Sequence, residues 1–469
     1  MKKKYVRWTL WTIASPFILF IILCILIYLP PIQNFLVDKA AVYASEATGM
    51  NISVGRISLS FPLNLVVTNV DAASPHNDTL LSVRRLQVNV QLLPLLKKQV
   101  EVDGISLQGA TVNSNDLIHG MKLNGTLGEL FISSHGVALD PETAIVNKVL
   151  LKDTDLSLCL NDTAAADTAA SDTTYWKIIL QDIDLQNVSF ALDMPLDSLS
   201  LAASLDNAIL RDGLIDLHKS AYSLQTFRIE NGRVRYDNGK PLAADSLSSG
   251  LDPSHIALTD IGVKLDSLYY GGRNMKAIIS QFVLKERSGV EIVSATGRMV
   301  SNDKVLRVPS LKLETRDSYL ELNAAMDWNA LDFKGEGLMS ARLMADIGKP
   351  DVVRFMGRMD EKFVRQYPSE PLRIRTGIDG DLNKLKLTTL TAELPGALGL
   401  FARGELTHLT DSLLRGGDIT LEAETKDLKF VSTLAEGIEI PYGTRLEGKF
   451  TMAGAKMGTD LLLMQPEAQ

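Results

Sequence analysis

Residues 57–68 read ISLSFPLNLVVT, and apolar side chains occupy every second position of this stretch. Small or polar residues fill most of the positions between them. A period of two is that of a β-strand with one apolar face. We therefore predict a single half-buried strand here, whose apolar face consists of Ile57, Leu59, Phe61, Leu63, Leu65 and Val67.

The same alternation returns many times along the chain. It places Leu86, Val88, Val90 and Leu92 on one face of a second strand, and it recurs at residues 188–192, 261–265, 311–313 and 419–421. The pairs Asp103-Gly104 and Asn231-Gly232, and residues 237–239 and 271–272, are typical of tight turns. The pattern predicts a mainly β protein, built on an antiparallel sheet.

A sheet with one apolar face must cover that face. An elongated sheet that curls into a groove does so, and the groove lining would then be Ile57, Leu59, Phe61, Leu63, Leu65, Val67, Leu86, Val88, Val90 and Leu92. A closed sandwich with an ordinary core uses the same residue types. Alternation alone does not separate these two architectures.

Two short amphipathic helices are also predicted. Residues 32–48 carry apolar side chains at helical spacing and meet Gly49, which indicates a helix near a membrane surface. Residues 351–367 follow Pro350 and precede Pro368, and their apolar positions are Val352, Met356, Met359 and Phe363. This second helix either covers part of the sheet or gates a path along it.

The N-terminus predicts a membrane anchor. Residues 8–29 (WTLWTIASPFILFIILCILIYL) hold no charge, and a helix over them is about 33 Å long, enough to span a bilayer. Lys2, Lys3, Lys4 and Arg7 precede them, so the N-terminus is expected in the cytoplasm and the remainder outside it. A cleaved signal peptide, or a lipoprotein processed at Cys24, is the alternative.

These features divide the chain. We expect a cytoplasmic tail and anchor over 1–31, a short helix over 32–49 and a first β segment over 50–160. A flexible low-complexity loop follows over 161–174 (NDTAAADTAASDTT), then a second β segment over 175–350. The helix over 351–368 leads to a third β segment over 369–469, which is expected to be truncated.

No catalytic, cofactor or metal motif is found. The six histidines are dispersed, and the cysteines are Cys24 in the apolar span and an isolated Cys159. The acidic pairs at 153/155, 182/184 and 379/381 are interpreted as turns. A net charge of −8 with scattered basic residues argues against a nucleic-acid partner. We predict a protein that is not an enzyme and binds no cofactor.

Residues 48–70 and 80–112 resemble the start of AsmA-like proteins, and among these the TamB proteins of Bacteroidota. An alternating strand follows Gly49, then a leucine-proline element (LLPLLKK, 92–98), then short strands ending in GATV. FVLKERSGVEI (282–292) and LKLETRDSYLEL (311–322) resemble the same branch. The resemblance implies a single-pass inner-membrane protein with a periplasmic β-groove, but no catalytic residues.

Two functions follow from that resemblance. In the first, the groove carries phospholipids between inner and outer membrane. In the second, the chain assembles outer-membrane or secreted proteins together with a TamA-like or BamA-like barrel. The resemblance implies that a C-terminal β domain, beyond this sequence, makes the contact with the barrel.

Overall fold

The structure is a computed structural model. It describes residues 39–60, 63–74, 78–91, 102–114, 120–138, 142–161, 175–239, 250–331, 337–357, 361–434, 441–454 and 456–464, except residues 40, 44 and 47. The predicted anchor over 8–29, the element over 92–98 and almost all of the low-complexity loop lie outside these residues. So do Phe61, Leu92 and Met359.

The chain is mainly β, as predicted: 72% of it is strand, against about 20–25% in an average globular domain. The strands are β1 Asn51–Ser60, β2 Asn64–Ala73, β3 Thr79–Val90, β4 Val102–Asn113, β5 Met121–Ala138, β6 Thr143–Leu160, β7 Lys177–Met194, β8 Leu199–Asp216, β9 Ala221–Leu224, β10 Thr226–Asn238, β11 His255–Gly271, β12 Asn274–Glu286, β13 Glu291–Ser301, β14 Val305–Thr315, β15 Tyr319–Asp327, β16 Met339–Ile347, β17 Leu372–Gly380, β18 Lys384–Leu394, β19 Leu398–Thr407, β20 Gly416–Thr425, β21 Arg445–Ala453 and β22 Lys456–Met464.

Helices are few among the described residues. Two α-helices, α1 (Lys349–Met356) and α2 (Glu361–Gln366), lie between β16 and β17 in the chain. Short 3-10 helices cover Pro195–Asp197, Trp328–Leu331 and Lys429–Thr433. The described residues between 39 and 48 are helical, and Gly49, at φ +70°, donates its amide to the Ser45 carbonyl at 2.9 Å.

The chain forms two compact units, divided within β8 at residues 208 and 209. In the first unit, β1 to β6 pair antiparallel with their neighbours in chain order. The next pair is parallel: β7 runs beside β6 in the same direction, which differs from the antiparallel sheet that we predicted. The long connection from Leu160 to Lys177 explains the difference, because parallel neighbours need a dozen or more residues to return the chain.

In the second unit, β9 pairs with β8 and with β11, and β10 also pairs with β11. From β11 to β22 each strand pairs antiparallel with the next. A small aromatic core lies beside this sheet, where Phe363 of α2 packs on Tyr367 and Phe430.

Several strands of the first unit contain a residue in the left-handed conformation at mid-length. These are Asn69, Gly109, Asp153 and Asn187, with φ between 48° and 61°. Asn, Asp and Gly are the residues that adopt this conformation most readily. The registers on either side place the four residues on one line across the sheet, which we call the crease.

The bounds of the strands correct part of the turn prediction. Asp103-Gly104 and Asn231-Gly232 lie inside β4 and β10, and Asp153 and Asp155 lie inside β6. The acidic pair at 182/184 is likewise inside β7. The turn prediction was correct at residues 271–272, which join β11 to β12, and at residue 381, which follows β17.

Candidate functional site

The first unit carries two unbroken apolar rows. In an antiparallel or parallel ladder, paired residues lie side by side on the same face of the sheet. Following the pairs from β1 to β7 gives one row of Leu59, Leu65, Val88, Ile105, Ile132, Val149 and Ile183. The neighbouring row is Ile57, Val67, Leu86, Leu107, Leu130, Leu151 and Leu185.

Side chains of both rows retain contact with solvent. Ile105 is 36% exposed, and the other members are half-buried; none is fully buried. Among the described residues of this unit, Leu80 and Val83 are the only large apolar side chains that are buried. The two rows therefore form a broad apolar surface about 29 Å long, taking about 4.8 Å between strands.

The opposite face of the same strands is polar. One of its rows contains Arg56, Thr68, Arg85, Gln108, Glu129, Lys152 and Gln186. Another contains Ser60, Asn64, Asn89, Gly104, Ser133, Lys148 and Asp182. Only the row between them is mixed, with Val66, Phe131 and Leu150 among its members. The sheet of the first unit thus has one apolar face and one mainly polar face.

Seven of the ten predicted lining residues lie on strands of this unit. Ile57 and Leu59 are on β1, and Leu65 and Val67 face them from β2, while Leu86, Val88 and Val90 lie on β3. The prediction of one strand over 57–68 was wrong, because β1 ends at Ser60 and β2 begins at Asn64. Leu63 lies in the hairpin turn, where its carbonyl accepts the Val90 amide at 3.1 Å. Phe61 and Leu92 lie outside the described residues.

The second unit repeats this design on thirteen strands. One row, from β10 to β22, consists of Ile229, Val263, Phe282, Ala295, Leu313, Leu320, Ala345, Ile374, Ala392, Leu400, Ala423, Leu446 and Leu463. We call it the long apolar row. Its length is about 58 Å at the usual strand spacing. The other face of these strands carries cross-strand ion pairs, among them Arg342–Asp379 at 2.7 Å, Arg375–Asp346 at 2.7 Å and Lys449–Asp418 at 3.0 Å.

Helix α1 partly covers a cavity of about 490 Å³ near the middle of the long apolar row. Leu313 and Leu320 belong to both the row and the cavity wall. The volume lies within the range of small-molecule sites. The rest of the apolar wall comes mainly from β11 to β13, the turn between β12 and β13, β16 and α1, and includes Ile256, Leu258, Leu284, Val290, Ile292, Ile347 and Phe355.

A buried carboxylate fastens α1 to the turn between β14 and β15. Asp351 is 1% exposed, and its Oδ2 accepts hydrogen bonds from the hydroxyls of Thr315 and Ser318, the latter at 2.6 Å. Arg354, one turn along α1, donates to Asp351 at 3.0 Å and to Asp317 at 2.8 Å. We call this group the α1 latch.

The contacts with Asp317 and Asp351 keep the guanidinium of Arg354 protonated. Burial disfavours the charged guanidinium, but the hydrogen bonds of Arg354 to Asp317 and Asp351 outweigh it and raise the pKa of Arg354 above its usual value. A buried carboxylate is tolerated when it is both paired and hydrogen-bonded. The latch therefore holds α1 against the sheet by polar contacts, beside an otherwise apolar cavity.

The predicted covering helix is two helices. Gly357 ends α1 with φ +73°, so the single helix predicted over 351–367 is interrupted. Val352 and Met356 lie on α1, and Val352 packs toward the aromatic core. Phe363 lies on α2 and is 1% exposed, so it is a core residue and does not line the cavity.

Sequence reasoning missed the cavity and the α1 latch. Pro350 followed by an acidic residue does signal a helix start, because proline and carboxylates both suit the first turn. Nothing local indicates that Thr315 and Ser318, some 35 positions earlier, contact that turn. This contact depends on the strand pairing, which the local pattern does not contain.

Other site types were sought among the described residues. No group of three or more His, Cys, Asp or Glu side chains there could hold a metal ion. No helix in the described part of the chain is both long and apolar enough to cross a bilayer, and the predicted span over 8–29 lies outside it. No protein-family model matches this sequence, and no curated protein is significantly similar to it.

Proposed function

We propose that this chain is anchored in the inner membrane of a bacterium and that the apolar faces of its periplasmic sheets carry phospholipid acyl chains toward the outer membrane. The observation that carries the proposal is the pair of seven-residue rows in the first unit, in which every residue is Ile, Leu or Val. The long apolar row of the second unit provides the same kind of surface.

The exposure of these rows favours an open groove over a closed sandwich. In a closed core, residues at the centre of a sheet such as Leu107, Leu130 and Leu151 are usually fully buried. Here they keep contact with solvent. Contiguous apolar surface of this extent marks a binding site in most soluble folds.

The energy of lipid transfer fits such a surface. Moving an acyl chain through water costs about 0.8 kcal/mol per methylene, or about 13 kcal/mol for sixteen carbons. A continuous row of aliphatic side chains removes most of that barrier. Binding of this kind requires no reactive group, and the polar rows on the other face keep the sheet soluble while its apolar face is occupied.

The location of the protein is part of the proposal. The uncharged residues 8–29 with their basic flank support an N-terminal anchor, and Val42 and Tyr43, 54% and 75% exposed, offer apolar contacts to a membrane surface. The resemblance of residues 48–112 to AsmA-like proteins points to the same class of lipid carrier.

A photo-crosslinking amino acid tests the proposal. Leu59 and Ser60 are neighbours on β1 with side chains on opposite faces. In living cells, a crosslinker at Leu59 should capture phospholipid, and one at Ser60 should not. Equal capture at both positions, or none at Leu59, contradicts an acyl-chain path along this face.

A second candidate function is an assembly factor for outer-membrane or secreted proteins. The apolar face of the first unit favours it as well, because an exposed apolar surface can contact a nascent barrel strand as readily as an acyl chain. Crosslinks from Leu59 to nascent barrel proteins, with no lipid captured there, would favour this function over lipid transport.

A further inference from the structure

We propose that the cavity beneath α1 is a binding site for the end of one acyl chain. This inference rests on the proposed function and adds a defined site to it. The cavity, of about 490 Å³, opens onto the long apolar row through Leu313 and Leu320, which line both. A chain lying along the row can therefore enter the cavity without leaving apolar contacts.

The chemistry of the wall selects an apolar occupant. The two acidic side chains in the wall are engaged by protein donors: Asp351 by the α1 latch, and Glu286 by the amides of Ala257 at 3.3 Å and Ser288 at 2.6 Å. The remaining wall is mostly aliphatic and aromatic. Cavities of this character stay dry and bind apolar molecules.

Helix α1 acts as a fixed cover. The α1 latch holds its first turn, and at the other end of the helix Phe355 reaches the cavity wall although it is 57% exposed. An exposed aromatic ring at a cavity mouth gains burial when a ligand occupies the cavity. This position makes Phe355 a contact to the bound chain that the fold itself does not require.

The test uses the full chain in phospholipid nanodiscs. One sample contains palmitate with a diazirine near its methyl end, and a second contains phosphatidylethanolamine with the same photoreactive chain. After illumination, labelled peptides are identified by mass spectrometry. We expect label at Leu284 and Ile292 in the cavity and at Leu400 on the long apolar row. Label from palmitate alone indicates a free fatty acid as the source, and label from the phosphatidylethanolamine probe shows that a phospholipid chain enters the cavity.

Substitutions in the cavity wall test whether the labelled acyl chain lies in the cavity. Ile292→Trp removes room for about three methylenes, which corresponds to a loss of about sixtyfold in cavity labelling. Ile419→Trp is the matched control, because Ile419 is also half-buried, on the apolar face of β20 outside the cavity wall. This control should leave cavity labelling unchanged. Phe355→Ala, at an exposed position that does not endanger folding, should weaken cavity labelling about tenfold.

The outcomes separate this inference from the function on which it rests. Label at Leu400 without label at Leu284 or Ile292 overturns the cavity site and leaves the lipid path intact. Cavity labelling that survives both Ile292→Trp and Phe355→Ala also overturns it. No label at any of these positions contradicts both the site and the lipid path.

Discussion

A substitution that introduces one charge on the apolar face distinguishes an open groove from a closed core. Leu130 lies near the middle of its row, paired with Leu107 and Leu151, and it is half-buried. Full burial of a leucine contributes about 1.5–3 kcal/mol, so replacement of this partly exposed side chain should lower the free energy of unfolding by about 2 kcal/mol. The carboxylate introduced by Leu130→Asp would keep contact with water on an open face and add little further penalty.

In a closed core the same carboxylate would lose its water. That adds several kcal/mol, and the total would exceed about 5 kcal/mol, enough to unfold an ordinary domain. Leu150→Asp is the control, since Leu150 is also half-buried on β6 but lies on the opposite face. Urea unfolding of the two variants measures the difference.

Lipid transfer should respond differently from stability. A charge in the row deprives a passing acyl chain of contact over about three methylenes, or about 2.4 kcal/mol, which corresponds to transfer about sixtyfold slower. Transfer of a fluorescent phospholipid between donor and acceptor vesicles by the reconstituted full chain measures this. Equal transfer by Leu130→Asp and Leu150→Asp, or loss of folded protein in Leu130→Asp alone, refutes the reasoning.

Three further predictions concern other parts of the chain. Phe363→Ala should lower the free energy of unfolding by about 3–5 kcal/mol in urea, because the ring is 1% exposed and fills an aromatic core. The Ser254 amide and then the His255 side chain hold the pKa of Asp252 below its usual value of 3.8, so its contribution to stability is present at neutral pH and lost as pH falls through the lowered pKa. Asp252→Asn should accordingly lower the Tm at pH 7, and this difference in Tm should shrink as the pH falls below 3.8. A reporter fused after Thr48 should be active only when it is periplasmic, and cytoplasmic activity would contradict the predicted topology.

The sequence predicts the faces of the strands better than their ends. Ile57, Leu59, Leu65 and Val67 do share a face, but they belong to two strands joined by a hairpin. Ser60 pairs with Asn64, so residues of the same parity on β1 and β2 point to the same side. The alternation therefore continues through the turn without a change of phase. Pro62 is the one local signal of a break, because proline is rare inside a central strand.

The opposite error occurred at the polar pairs. Asn, Asp and Gly are turn residues because they tolerate the left-handed conformation, and the same property suits them to the crease. Local sequence gives no means of telling these two uses apart. Only the pairing on both sides, as with Thr68↔Arg85 and Val70↔Val83 around Asn69, distinguishes a crease inside a strand from a turn between strands.

The crease also accounts for the irregular spacing of apolar pairs along the chain. Before Asp153, the apolar face of β6 carries Val149 and Leu151; after it, the half-buried apolar side chains are Leu156 and Leu158, so the phase of the alternation changes. A residue in the left-handed conformation increases the spacing between successive inward-facing residues of the strand from two positions to three. Since the crease residues are aligned across the sheet, the strands change phase on the same line. The row just beyond the crease on the same face includes Leu127, Thr154 and Val188, and Thr154 is its one polar member. A path for acyl chains needs continuity across strands more than it needs any particular residue, which explains how such a path can leave so weak a trace in the sequence.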